Sequence, residues 1–269
     1  MRCRGAAPGK PARESVSVLP GAGNTNLSVF FTGPHKWGGA EVWGVALQER
    51  AIRTRHSILV AAASVFADVG YEAATISEIL HRASVTKGAL YFHFSSKEEL
   101  AQAVLSDQVG AVPEPAPQEL VLQEGLDSTF LLAYLLSTGD AMVRGSIRLT
   151  VEQGVTQDGL NRQTPMAGWI EHNASVLARA KANGELLPQV DVEDAARMFV
   201  AAFTGAQILS KIMTGYGDLM ERVADIERHL MSSVAVPAVL VRLDMSADRG
   251  ARVHEQAMEL RRQSAAAVG

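Results

Sequence analysis

Cysteine is all but missing from this chain: Cys3 is the only one in 269 residues, so no disulfide can close within it and no cysteine-based metal site can assemble. That usage fits a reducing cytoplasm. Long apolar runs are missing too. No stretch approaches the roughly 18 residues that suggest a membrane-spanning helix, and the N-terminus lacks the apolar centre of a secretory signal, so no membrane partner is expected. Positive charge is not in excess: 25 Lys and Arg stand against 29 Asp and Glu, a net charge of −4. Binding to nucleic acid therefore cannot rest on overall basicity and would need a local basic face. Strand-like alternation is also lacking. What is present is a chain 47% hydrophobic, enough to bury a substantial core in one large or two small domains.

Residues 1–47 are rich in Gly, Pro, Ser and Ala and show neither helical nor strand periodicity, so a disordered N-terminal extension is expected. Gly21-Ala22-Gly23 lies in it, but a phosphate-cradling loop needs a strand before and a helix after, and neither is readable. From Gln48 the character changes. Ile58, Leu59, Ala62, Val65, Phe66 and Val69 recur at helical spacing and Gly70 stops them. Thr75-Ile76-Ser77-Glu78 has the form of a capping box, opening a second helix with Ile76, Ile79, Leu80 and Ala83 along one stripe. Ser84-Val85-Thr86 breaks that stripe, and Thr86 caps a short third helix from Lys87 to about Phe92. Ser96-Lys97-Glu98-Glu99 is another capping box, opening a fourth helix with Leu100, Val104 and Leu105 inward.

After Pro113-Glu114-Pro115-Ala116-Pro117, helical periodicity resumes at about 118–137, 140–156, 166–183, 192–214 and 218–243. Pro237 should kink or end the last of these, and a polar C-terminal helix or tail is expected over 244–269. The expected fold is all-α. A helix-turn-helix unit over 48–95 leads into a larger helical domain over 96–243.

Two helices joined by a tight turn, the second short and polar-aromatic, can set one helix in a DNA major groove. The third helix offers what a duplex edge asks for: Lys87 for guanine or phosphate, Thr86 and Tyr91 for phosphate oxygens, His93 for either, and Gly88-Ala89 for close backbone approach. Leu90 and Phe94 have the character to face inward. Arg50, Arg53 and Arg55 precede the first helix's apolar face, where they could reach phosphates or the minor groove, and Thr75 and Lys97 begin the flanking helices. On pattern alone, a helical hairpin that never touches nucleic acid is equally open.

The run from Thr75 to Leu100, with Val85-Thr86-Lys87-Gly88-Ala89-Leu90-Tyr91-Phe92-His93-Phe94 at its centre, closely resembles the DNA-binding domain of TetR-family repressors. With Gln48-Glu49-Arg50-Ala51-Ile52-Arg53-Thr54-Arg55 ahead of it, the chain resembles the γ-butyrolactone receptor branch, hormone-sensing repressors that regulate antibiotic biosynthesis. The resemblance covers about Gln48 to Leu243. It implies a homodimer, a palindromic double-stranded DNA operator with half-sites one helical turn apart, and release by a small-molecule effector of γ-butyrolactone type. It also implies DNA contacts from Thr86, Lys87, Gly88, Tyr91, His93 and Lys97. Because relatives of this kind begin close to the position of Gln48, Val45 is expected to mark a natural start. Localisation is expected in the cytoplasm, with the nucleoid.

On the ligand side, an apolar cavity between helices with a few polar groups is expected. Trp169, Thr204 and Gln108 are the candidates. Each has a bland alternative: a core tryptophan, a threonine bonded back to Val200, and a surface glutamine. The dimer is expected to use the helices at Val192–Thr214 and Asp218–Leu243. Three other readings stay in play. A related repressor could sense an antibiotic or biosynthetic intermediate, although the pI of about 6.0 favours the hormone receptor. A helical interaction module is a second. An all-helical enzyme using Glu152, Glu171 or His172 is the third, but Glu171 and His172 are adjacent and point in different directions on a helix. No catalytic residue, metal ligand or cofactor is expected.

Overall fold

Three N-caps and two positive-φ residues set the boundaries of the first four helices. In the computed structural model, which describes residues 40–108, 110–151 and 159–268, α1 spans Ala40–Ala73 and is interrupted at Gly70, where φ is 80° and ψ 175°. That backbone region suits glycine. The Thr75 hydroxyl accepts from the Glu78 amide at 3.2 Å to open α2 (Ile76–Ala83). Ser84 ends it in the left-handed region, φ 53°. Thr86 accepts from the Ala89 amide at 3.3 Å to open α3 (Lys87–His93). Ser96 caps α4 (Lys97–Ser106) in the same way, accepting from Glu99 at 3.0 Å. Each such cap is worth about 1 kcal/mol.

The larger part comprises α5 (Val121–Thr138), α6 (Ala141–Val151), α7 (Gln163–Ala182), α8 (Val192–Thr214), α9 (Leu219–Val234), the single turn α10 (Pro237–Leu240) and α11 (Arg249–Val268). Among the described residues the only extended pairing is one isolated bridge, Leu186 with Ala235. Pro237 occupies the first turn of α10, a position where its missing amide costs nothing. It therefore separates α10 from α9 rather than bending one long helix.

Two apolar clusters organise the residues from Gly44 onward. The first joins Ile58, Ala62 and Phe66 of α1 to Ile79 of α2, Leu90 of α3 and Leu100, Val104 and Leu105 of α4. Met142 and Leu149 of α6 complete it. The second is centred on α5, with Leu126, Phe130 and Leu136 packed among α7, α8, α9 and Val253 of α11. The C-terminal helix is more than a polar tail. Its Arg249 donates to both carboxylate oxygens of the fully buried Asp127, at 2.8 and 2.6 Å, a bidentate pair that holds α11 on α5.

The expected extension over 1–47 is corrected at its end, because residues 40–47 are helical. Glu, Val, Trp, Leu and two alanines outweigh the one glycine of that segment. The remainder of the expected extension, with Gly21-Ala22-Gly23, lies outside the described residues, as does Glu152.

Candidate DNA-reading face and ligand cavity

The turn between α2 and α3 fixes which face of α3 is free. Leu90 and Phe94 are buried, at 0% and 2% exposure, and anchor α3 to α1 and α4. Lys87, Gly88, Tyr91 and Phe92 are exposed in consequence, and Ala89 and His93 are partly so. Lys87 Nζ lies 5.9 Å from the centroid of the Tyr91 ring, one helical turn on, so the two present a joined cationic and phenolic surface. Phe92 is 80% exposed and meets the His93 ring edge-on, 5.0 Å between centroids.

Gly88 deserves a physical reason, since glycine inside a helix costs roughly 0.5–1 kcal/mol relative to alanine. A side chain built there would meet nothing within 4 Å. Internal packing therefore does not require the glycine, whereas the close approach of an outside surface would.

Arg50 and Arg53 are exposed on α1. Arg55, on the same helix, places its guanidinium 4.9 Å from the Phe94 ring centroid. Arg82, which the sequence did not single out, ties α2 to α1 by donating to Ser64 at 2.8 Å and Asp68 at 2.6 Å, and it also reaches Glu78. These bonds set the angle at which the helix pair is held. Lys97 is differently engaged from its expected phosphate contact. Its ammonium donates to the carbonyls of Tyr71, Glu72 and Ala74 at 2.9, 3.4 and 3.1 Å and lies 4.4 Å from the Tyr71 ring centroid. All three N–H donors are directed at the carbonyls that follow Gly70, where the end of α1 leaves acceptors without helical partners.

The second site is a cavity lined by α5, α6, α7, α8 and α9, with about 660 Å³ of empty space when the open solvent at its mouth is included. Gln108, Trp169 and Thr204, named from three separate stretches of sequence, all line it. Gln108 follows the last turn of α4 and is only 3% exposed. Its Oε1 accepts from Thr150 of α6 at 3.3 Å. Trp169 is half-buried, packs against the larger core and meets His172 edge-on at 6.0 Å. The Thr204 hydroxyl donates to Val200 at 2.7 Å, the bland alternative, yet the residue still lines the cavity, and a hydroxyl that donates keeps lone pairs to offer. His172 also lines the wall. Burial first, then the nearby Arg179 charge, hold its pKa below the ordinary value, which keeps it neutral near pH 7. Glu171 is exposed and lies outside this lining.

Two buried polar residues of the cavity escaped the sequence reading. Gln207 of α8 and Glu227 of α9 line it at 5% and 4% exposure. Glu227 was legible in principle. The inward stripe of α9, Leu219, Val223, Leu230 and Val234, leaves a helical gap that position 227 fills.

The cavity and the DNA-reading face share supporting helices. Ile147 of α6 lines the cavity, while Met142 and Leu149 of the same helix belong to the first apolar cluster. Gly145 lets α6 cross α1 backbone to backbone, since a Cβ there would come within 2.2 Å of the Ala63 carbonyl oxygen. Arg148 donates to the Ala67 carbonyl of α1 at 2.8 Å.

Comparison with known proteins bears on both sites. Residues 58–104 match the model of bacterial regulatory proteins of the tetR family. The chain is 40% identical over 226 residues to the A-factor receptor protein of Streptomyces griseus, covering 81% of this chain and 79% of that one. Native TylP, a TetR regulator from Streptomyces fradiae, is 62% identical with a TM-score of 0.75, covering 78% of this chain and 99% of that one. A crystal structure of a gamma-butyrolactone receptor (ArpA-like protein) is 27% identical with a TM-score of 0.55, over 78% and 99% of the two chains.

Proposed function

The chain belongs to the TetR family of bacterial regulatory proteins, and on that premise we propose that it is a homodimeric repressor released from a palindromic operator when a small lactone fills the α5–α9 cavity. It is a DNA-binding transcriptional regulator related to A-factor and butyrolactone receptors, and not an enzyme. The finer reading rests on one observation: Gln108 lines the cavity directly after α4, whose Leu100, Val104 and Leu105 hold up the helix-turn-helix. A ligand touching Gln108 pushes on the same rigid piece that positions α3. Release follows if the ligand binds the displaced arrangement better than the DNA-bound one.

Lys87, Tyr91, Thr86 and His93 contact the duplex, with Gly88 and Ala89 allowing close approach and Arg50 and Arg53 reaching flanking phosphates. Thr75 supports the pair of helices through its cap, and Lys97 acts by fixing the end of α1. Trp169, Thr204 and Gln108 contact the ligand. No helix among the described residues is long and apolar enough to cross a membrane, and action on operator DNA would place the protein in the cytoplasm with the nucleoid.

The homodimer is supported by α8. Met198, Ile208, Leu209, Ile212 and Met213 are 38–72% exposed, and Met198, Ala201, Gly205, Ile208 and Ile212 follow one another at spacings of three and four, a stripe suited to a partner helix. With α9 beside it, the stripe forms half of a four-helix interface with a second copy. The A-factor receptor and gamma-butyrolactone receptor relatives make a γ-butyrolactone the first effector class to test. A mobility-shift assay on the DNA upstream of the protein's own gene should give a complex that γ-butyrolactone dissociates. A complex that resists γ-butyrolactones but yields to the host's own antibiotics would replace the hormone with the alternative effector.

A further inference from the structure

A carboxyl group buried among apolar side chains normally has a cation or several hydrogen-bond donors beside it. Glu227 has neither among the described residues. It stands where the main cavity meets a narrower apolar recess walled by Leu122, Leu126, Leu177 and Met231, with about 270 Å³ of empty space when open solvent is included. Burial alone pushes its pKa up to about 7. One helix away, the side-chain oxygen of Gln207 is also buried without a donor.

The rest of the polar lining deepens the imbalance. The hydroxyls of Ser128, Thr129 and Thr204 each donate to a carbonyl one turn back in their own helices, at 3.1, 3.2 and 2.7 Å. What remains of them toward a ligand is lone pairs. The only other titratable group that lines the cavity or the recess, among the described residues, is His172, held neutral as above. Beside the N–H groups of Gln108, Trp169, Asn173 and Gln207, the lining thus offers several unclaimed acceptors and no fixed cation.

We propose that Glu227 and Gln207 are the specificity-determining polar end of the cavity, and that its ligand is a neutral amphiphile presenting a hydroxyl to them while its apolar chain occupies the Leu122–Met231 recess. This rests on the reading of the cavity as the effector site. A hydroxyl is both donor and acceptor, so it can donate to Gln207 Oε1 and exchange a hydrogen bond with a protonated Glu227. A carboxylate ligand would bring a negative charge into a largely apolar site with no cation to offset it. A site that satisfies its own buried polar groups only through the ligand also discriminates sharply against analogues lacking the matching group.

The test is calorimetric titration of the full-length protein with four probes of equal chain length: a γ-butyrolactone with a 1-hydroxyalkyl chain, the same lactone with a plain alkyl chain, an alkyl carboxylate and an alkylammonium. The hydroxyalkyl lactone should bind about tenfold or more tightly than the plain one. Glu227→Leu and Gln207→Leu should each shrink that preference, and Glu227→Gln, which keeps a donor and an acceptor, should retain it. Thermal melts run alongside separate loss of preference from loss of fold. Equal binding of the two lactones, or tightest binding of the carboxylate or the ammonium, overturns the proposal. If the plain lactone binds equally well and still releases operator, the effector reading stands without this specificity. If no probe binds, both fall together.

Discussion

The recognition helix and the cavity treat their polar groups in opposite ways. On α3, Lys87 and Tyr91 stand in solvent, touch mainly each other and await a partner that brings its own charge. In the cavity, Gln207 and Glu227 have been taken out of water, and the side-chain oxygen of Gln207 finds no donor. An exposed cationic surface suits a highly charged partner whose attraction reaches over about a Debye length. A buried acceptor-rich cavity suits a small neutral one, selected by hydrogen bonds. The acidic net charge of −4 is compatible with both, since Arg50 and Arg53 on α1 and Lys87 on α3 are exposed and offer positive charge locally.

The contrast breaks most visibly if the two surfaces are altered separately. Lys87→Ala with Tyr91→Ala should weaken operator binding by about a hundredfold or more, at roughly 1–3 kcal/mol per base or phosphate contact, while calorimetric lactone binding stays unchanged. An unaltered mobility shift would leave the protein a helical interaction module.

Glu227→Gln probes the other side. The folded state holds the Glu227 proton more tightly than the unfolded chain, because its pKa is raised to about 7 from an ordinary 4.5. Its contribution is therefore fully favourable below pH 4.5 and is lost as pH rises through 7. Urea denaturation at pH 8 should find the Gln variant more stable than the native chain by about 3 kcal/mol, with the gap closing toward pH 4.5. A gap independent of pH would contradict the account of an unpartnered buried acid.

The smallest effect sharpens the comparison most, because it has opposite signs in two assays. Gly88→Ala should stabilise α3 by up to about 1 kcal/mol, read by thermal denaturation, since the new methyl meets open space. The same methyl should reduce operator affinity about tenfold, because it stands where the duplex approaches. Improved stability with unchanged affinity would remove Gly88 from the contact surface.

The two regions also differ in how far the sequence could be read. Thr75, Thr86 and Ser96 announce their caps within three residues of the amides they accept from, so the helix-turn-helix is written in local contacts. Gln108 and Trp169 were nameable through family resemblance and Thr204 as a hydroxyl interrupting an apolar run, and the structure brings all three to one cavity. The stripe of α9 puts position 227 on the inward face, but that Glu227 and Gln207 meet in one cavity depends on helices far away in sequence, such as α5 at Gly125 and Thr129. The anchoring of Lys97 was hidden for a related reason. The carbonyls that claim it lie 23–26 residues earlier, and nothing around Lys97 itself indicates them. The helical start at Ala40 escaped because a Gly-rich neighbourhood masked a short run of helix formers.

The central claim is that the cavity and the DNA-reading face are energetically coupled through the end of α4 at Gln108 and through α6. Its most direct test measures the coupling from both sides: operator affinity with and without saturating hydroxyalkyl lactone, and lactone affinity with and without saturating operator. Linkage requires the two ratios to be equal, and the account predicts a common factor of about tenfold or more, reduced in Gln108→Ala while the lactone still binds. Lactone affinity that is the same on free and operator-bound protein would contradict it.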